Sequence, residues 1–218
     1  MPVTVKASDT LKGTDKTAAT SEAVIHQVEL TRGLCIAYLK AAAAAVSPLM
    51  SDAHKTLFET CFLQEPDDRS RSAVLLVLNK TLIGVSGGHT VKLDQTPFAG
   101  RHSLHLPLHN FCDRTTYASP GRYSFDQRAW TYIHEATHLF AGTDDATIGL
   151  AQKLGLQKEK ESPYLDRSIA LKGTALAYRE GGLGKRGALR NADSYAAFAV
   201  MLSRLTRGLF RFSVPLAS

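Results

Sequence analysis

His134-Glu135-Ala136-Thr137-His138 gathers two imidazoles and a carboxylate into five residues. On a helix, residues i and i+4 stand one turn apart on the same face, so both imidazoles can reach one metal ion. Glu135 is then placed to take a proton from a metal-activated water, which is the chemistry of a zinc hydrolase. The competing reading is a helix with two ordinary histidines and a salt-bridging glutamate. Trp130, Ile133, Ala136, Leu139 and Phe140 weigh against it, because they make this a core helix that presents a single polar stripe.

A catalytic zinc takes three protein ligands and keeps one position open. After His138 the chain reads Leu139-Phe140-Ala141-Gly142-Thr143-Asp144-Asp145. No histidine arrives at the HExxHxxGxxH spacing: Ala141 stands in place of the glycine and Asp144 in place of the histidine. Glu159 and Glu161 belong to a charge run that reads as a solvated face. Spacing alone leaves the third ligand open.

Gly142-Thr143-Asp144-Asp145 resembles the GTxD element of the aspzincins, the deuterolysin-type zinc endopeptidases that include the fungal lysine-specific enzymes. Asn191-Ala192-Asp193-Ser194-Tyr195, with Phe198 beyond it, is similar to that family's NADxY…F segment near the substrate pocket. The three elements occur in the family's order, and the similarity covers about residues 125–150 and 190–199. The resemblance implies one Zn2+ ion held by His134, His138 and Asp145, with Glu135 as general base and a protein or peptide as substrate.

Two departures qualify it. The family's GTxD continues to a tyrosine thought to steady the oxyanion, but Ile148 stands there and cannot donate a hydrogen bond. Tyr195 and Tyr178 are the substitutes this chain offers for that catalytic role. Lysine-specific members also carry a second acid three residues after the aspartate of NADxY, where this chain has Ala196. Strict lysine specificity is therefore not expected. Asp193 can still favour a basic side chain beside the cleaved bond, or simply cap its helix.

The elements that must hold these groups are mostly helices. Ser124 is a natural N-cap for a helix from Phe125 to Phe140, which Gly142 closes. Earlier helices are predicted from Ser21 to Ser47, from Asp52 to Phe62 and from Arg69 to Val85. Strand patterns occupy His89–Leu93 and Ser103–Leu108, the second half-buried and placed at an edge by Pro107. Helical patterns return over about 146–154 and 166–178, and a last helix runs from Ala192 to Thr206. Residues 1–20 are polar and aperiodic and read as a flexible lead-in.

Composition bounds the rest. A chain of 218 residues with 44% hydrophobic and 21% charged residues is an ordinary globular domain, not a disordered one. Three cysteines without a CxxC pair argue against a disulfide framework and favour buried thiols. The formal net charge is +6, yet residues 1–150 carry 14 Lys+Arg against 15 Asp+Glu, and residues 151–218 carry 12 against 5. Without a nucleic-acid motif, that basic third reads as a solvated rim, and no specific nucleic-acid partner is expected. Gly181-Gly182-Leu183-Gly184-Lys185-Arg186 lacks the Ser/Thr and the preceding strand of a phosphate loop.

The longest apolar run, Ala41 to Val46, is too short to span a bilayer. No Sec-type leader is visible, which suggests action where the chain is made, export as an effector or toxin by a leaderless route, or trimming from a larger secreted protein. These readings predict an α+β, mostly α-helical zincin-like metallopeptidase with a small sheet. It occupies one domain over 21–218, with 152–190 as an insertion or rim loop. The expected function is zinc-dependent endopeptidase activity. The alternative left open by Ile148 is a catalytically impaired, zinc-stabilised protein-binding module.

Overall fold

In the computed structural model, which describes residues 2–95, 102–113, 123–144 and 185–208, the chain opens with strand β1 (Thr4–Ala7) and helix α1 (Gly13–Ala19). Side-chain caps then start four helices in succession. Ser21, Ser51, Asp67 and Ser124 each accept from the backbone N–H three residues on, opening α2 (Glu22–Ala45), α3 (Asp52–Phe62), α4 (Asp68–Ser86) and α5 (Phe125–Ala141). Between α4 and α5 lie β2 (Thr90–Asp94), β3 (Leu104–Pro107) and a 3-10 turn over Leu108–Asn110. One helical turn, α6 (Lys185–Ala188), precedes the final helix α7 (Ala192–Thr206). The fold is mostly helical with one small sheet.

That sheet has three strands in the order β1-β2-β3, all parallel. Side chains alternate across it. Val91, Leu93, Leu104 and Leu106 enter the core, and Val5 and Ala7 pack at its margin. His105, on the other face, is not the exposed member of a half-buried strand as its alternation with leucines predicts: all four residues of β3 are buried. Its Nδ1 donates to Asp94 Oδ2 at 2.5 Å and its Nε2 accepts from Ser103 Oγ at 2.9 Å. Asp94 Oδ1 accepts from Thr10 Oγ1 at 3.1 Å. This polar relay stitches two strands and the β1–α1 connection together, and a paired polar group can be buried where a lone one cannot.

The reading of residues 1–20 as a flexible lead-in is corrected. Thr4–Ala7 adds a strand to β2, and Leu11 and Ala19 lie in the core. The partner of β1 is more than 80 residues away, at Thr90–Leu93, and a four-residue strand carries too little periodicity to stand out among threonines and lysines.

Helix α5 sits at the centre, packed against α2, α4, α7 and β3. Ala129, Trp130, Tyr132, Ile133 and Ala136 are all buried. The close approach of α4 requires Gly84: a Cβ there would lie 2.2 Å from the Phe140 ring. Helix α7 supplies the other large apolar surface, with Tyr195 through Leu202 buried without interruption. Its Phe198 and Tyr195 pack on the α3 rings Phe58 and Phe62, at centroid distances of 5.1–6.0 Å. Cys35, Cys61 and Cys112 are all buried. No helix among the described residues is long and apolar enough to cross a membrane. The helical patterns at 146–154 and 166–178, and most of the expected rim at 152–190, lie outside the described residues.

Candidate metal centre

The polar stripe of α5 is fixed at both ends of its helix. At the start, Ser124 and Gln127 form a reciprocal capping box. Asp126, in the first turn, accepts from Tyr38 Oη on α2 at 2.6 Å and pairs with Arg204 and Arg207 at the end of α7. At the other end Gly142 takes the left-handed conformation, with φ +68°, that glycine adopts without strain. Its N–H donates to the His138 carbonyl and that of Thr143 to the Thr137 carbonyl, so the chain folds sharply back on the last turn.

That reversal brings the Thr143 carbonyl to His138 Nδ1, at 2.7 Å. A carbonyl only accepts, so Nδ1 of His138 carries a proton, and in the neutral ring Nε2 is the lone pair. His134 is oriented in the same sense by another element: its Nδ1 donates to Asp193 Oδ1 at 2.8 Å, across the contact between α5 and α7. The two Nε2 atoms, each a lone pair, face one another at 3.2 Å, with the rings at 88°. Two lone pairs at that separation repel unless a cation or a proton stands between them. Two Zn–N bonds of 2.0–2.1 Å at a tetrahedral angle span about 3.3 Å. The donor set and its bite therefore fit one zinc ion.

Glu135 is buried, with its Oε1 3.9 Å from His134 Nε2. Its carboxylate lies beside the point on which the imidazoles converge. Asp145 lies outside the described residues, so its assignment as third ligand rests on the sequence motif; among the described residues no group of three or more His, Cys, Asp or Glu side chains forms a metal-ligand set. Asp144 is engaged elsewhere. Its carboxylate pairs with Arg190, its N–H donates to the Arg190 carbonyl, and its own carbonyl accepts from Ala192 N–H. These bonds tie the segment after Gly142 to the start of α7, joining the two elements that the sequence marked separately.

Asp193 and Tyr195 meet groups that the sequence did not reveal. Asp193 Oδ1 accepts from Trp130 Nε1 at 2.9 Å as well as from His134. Tyr195 is fully buried, and its hydroxyl donates to the Leu189 carbonyl at 2.6 Å. A phenol has one proton, so this bond leaves none for an oxyanion. Tyr178 lies outside the described residues. Trp130 and Thr143 are the site residues that sequence reasoning missed. The spacing Trp130-x3-His134 was legible as one helix face, but nothing in it identified a shared acceptor.

Among the described residues, the histidines near the strands belong to no metal-ligand group. His105 is bound in the relay with Asp94 and Ser103, whereas His89 Nε2 accepts from Tyr132 Oη at 2.7 Å.

No protein-family model matches this sequence. No curated protein matches it either. Among solved structures it is similar to a zinc peptidase from Grifola frondosa, at 14% identity and a TM-score of 0.52. The match covers 83% of this chain and 96% of that one. At that identity the likeness is one of fold.

Proposed function

We propose that this protein is a zinc-dependent endopeptidase of the aspzincin type. The observation that carries the reading is the pair His134 and His138, whose Nδ1 protons are taken by Asp193 and Thr143 and whose Nε2 atoms converge at 3.2 Å. The fold of a zinc peptidase, at a TM-score of 0.52, supports it from a second direction. His134 and His138 would hold the ion through Nε2, and Asp145 would complete the ligand set. When bound, zinc supplies Lewis acidity, lowering the pKa of water in the site toward neutrality and polarising a carbonyl.

The chain's own residues do the rest. Glu135 takes a proton from the attacking water and passes it to the nitrogen of the leaving amine. Its short reach to the histidine pair and its near-complete burial keep that transfer out of bulk solvent. A preference for basic residues near the cleaved bond is the specificity that the resemblance suggests for Asp193.

The second reading, a zinc-stabilised binding module with impaired catalysis, is favoured by one observation: Tyr195, a substitute for the tyrosine missing at 148, gives its proton to Leu189. Glu135→Gln separates the two. As an endopeptidase, the protein cleaves an unfolded substrate, and the variant keeps one equivalent of zinc while hydrolysis falls by about 10²–10⁴-fold. In the same assay Asp145→Ala loses zinc and Asp144→Ala keeps it. One equivalent of zinc with no cleavage of any unfolded protein by the parent chain selects the binding module; hydrolysis unchanged by Glu135→Gln rejects the mechanism.

A further inference from the structure

We infer that Asp193 and Trp130 form a positioning relay for His134, setting how tightly the site holds zinc. The inference rests on the proposal that His134 and His138 bind the ion. It gives Asp193 a task different from recognising a basic substrate.

Three features carry it. Trp130 and His134 are four residues apart on α5, so their side chains project from one face on successive turns. Both N–H groups converge on one oxygen, Asp193 Oδ1, at 2.9 and 2.8 Å. The carboxylate is nearly enclosed, with 14% of its side chain exposed, as is His134. A carboxylate can only accept, so it fixes the His134 tautomer with the proton on Nδ1 and the lone pair on Nε2. It also opposes rotation of the ring and raises the basicity of the nitrogen left for the metal.

Trp130 has a separate part. A carboxylate held by one hydrogen bond can swing about its own side-chain torsions. The indole N–H, on a buried ring, fixes the same oxygen from a second direction. The imidazole therefore meets an acceptor already in place, and less orientational freedom is lost when the ion binds. At His138 the described acceptor at Nδ1 is the Thr143 carbonyl, placed by the turn that Gly142 closes. The two histidines thus depend on different parts of the fold, α7 for one and the helix C-cap for the other.

The test measures zinc affinity by competition with a chromophoric chelator, using the full chain and zinc alone as the probe. Asp193→Ala is expected to weaken zinc binding by about 10- to 100-fold. Asp193→Asn keeps an accepting oxygen but removes the charge, and should fall between Ala and the parent. Trp130→Phe keeps the ring and removes the N–H, and should weaken zinc less than Asp193→Ala.

Thermal melts of the metal-free proteins serve as the control for packing, because a purely structural role would lower stability without a matching loss of zinc. Metal-free Asp193→Asn and Trp130→Phe that melt like the parent, yet bind zinc more weakly, support the relay. Zinc affinity unchanged in Asp193→Ala and Asp193→Asn, with loss confined to KM for substrates with basic residues, overturns it and returns Asp193 to substrate recognition. A parent chain that binds no zinc, or binds it equally after His134→Ala and His138→Ala, overturns the underlying metal-site reading instead.

Discussion

The described histidines divide by what their ring nitrogens meet. Nδ1 faces an acceptor in four of them: the Gly87 carbonyl for His89, Asp94 for His105, Asp193 for His134 and the Thr143 carbonyl for His138. Each is thereby set with Nε2 as acceptor, and the difference lies there. His89 and His105 take hydroxyls from Tyr132 and Ser103, whereas the Nε2 atoms of His134 and His138 are turned toward each other. For His89 the arrangement has a consequence in pH. Burial holds its pKa below the ordinary value of 6.5, with Arg32 pushing the same way and the Gly87 carbonyl and Glu29 opposing. A histidine depressed in the folded state binds fewer protons there than in the unfolded chain, so its contribution is complete above about pH 6.5 and lost as the pH falls below it. His89→Gln removes that titration while keeping an oxygen for Tyr132. The fall in melting temperature between pH 7.5 and 5.5, measured in chelator, should be smaller in the variant than in the parent; an equal fall would show that His89 is not the group responsible.

Elements were legible in the sequence where their own residues decide them. The start at Ser21, the cap at Ser124 and the close at Gly142 all came from local chemistry, and α2 to α5 and α7 fall close to the bounds read from the sequence. What stayed hidden depends on residues distant in the chain. Strand β1 is defined by a partner beyond residue 89, the burial of His105 by its bond to Asp94 on the neighbouring strand, and the bond from His134 to Asp193 by the packing of α5 on α7. The histidine pair and Glu135 could be read from spacing, but not which group orients each ring. Gly84 shows the same limit: it looks like one small residue in a helix, yet it sets how near α4 comes to the helix that carries the site. Gly84→Ala gains helix propensity of about 1 kcal/mol at most, but its Cβ would lie 2.2–2.5 Å from three atoms of the Phe140 ring. Overpacking should prevail, destabilising the protein by about 1–3 kcal/mol in a denaturant titration. Pairing it with Phe140→Leu should recover part of the loss. A Gly84→Ala protein as stable as the parent would mean that α4 and α5 can shift apart without cost.

Over the whole molecule, the three thiols lie in separate regions and together report whether the fold opens as a unit. Cys35 is on α2 with its Sγ toward the Ala129 carbonyl of α5, Cys61 is on α3 against the α7 side of the core, and Cys112 follows the 3-10 turn after β3. All three are buried. Burial raises the pKa of the Cys35 thiol, with its backbone hydrogen bond opposing, and burial raises that of Cys61 as well. A thiol reagent attacks as the thiolate is exposed, so both access and ionisation protect these groups in the native state. Because α5 packs on α2, α4, α7 and β3 at once, and α3 packs on α7, opening any one of these regions breaks contacts that tie it to the next. A disulfide-exchange reagent at pH 8 should therefore find almost no reactive thiol in the native protein and three in concentrated guanidinium chloride. At intermediate denaturant the three should be modified at one rate, which follows the unfolding equilibrium. One cysteine reacting well ahead of the other two, located by peptide mapping, would instead mark a region that opens on its own, and Cys112 is the decisive position because it tests whether the strand side stays closed while the helices around His134 and His138 hold together.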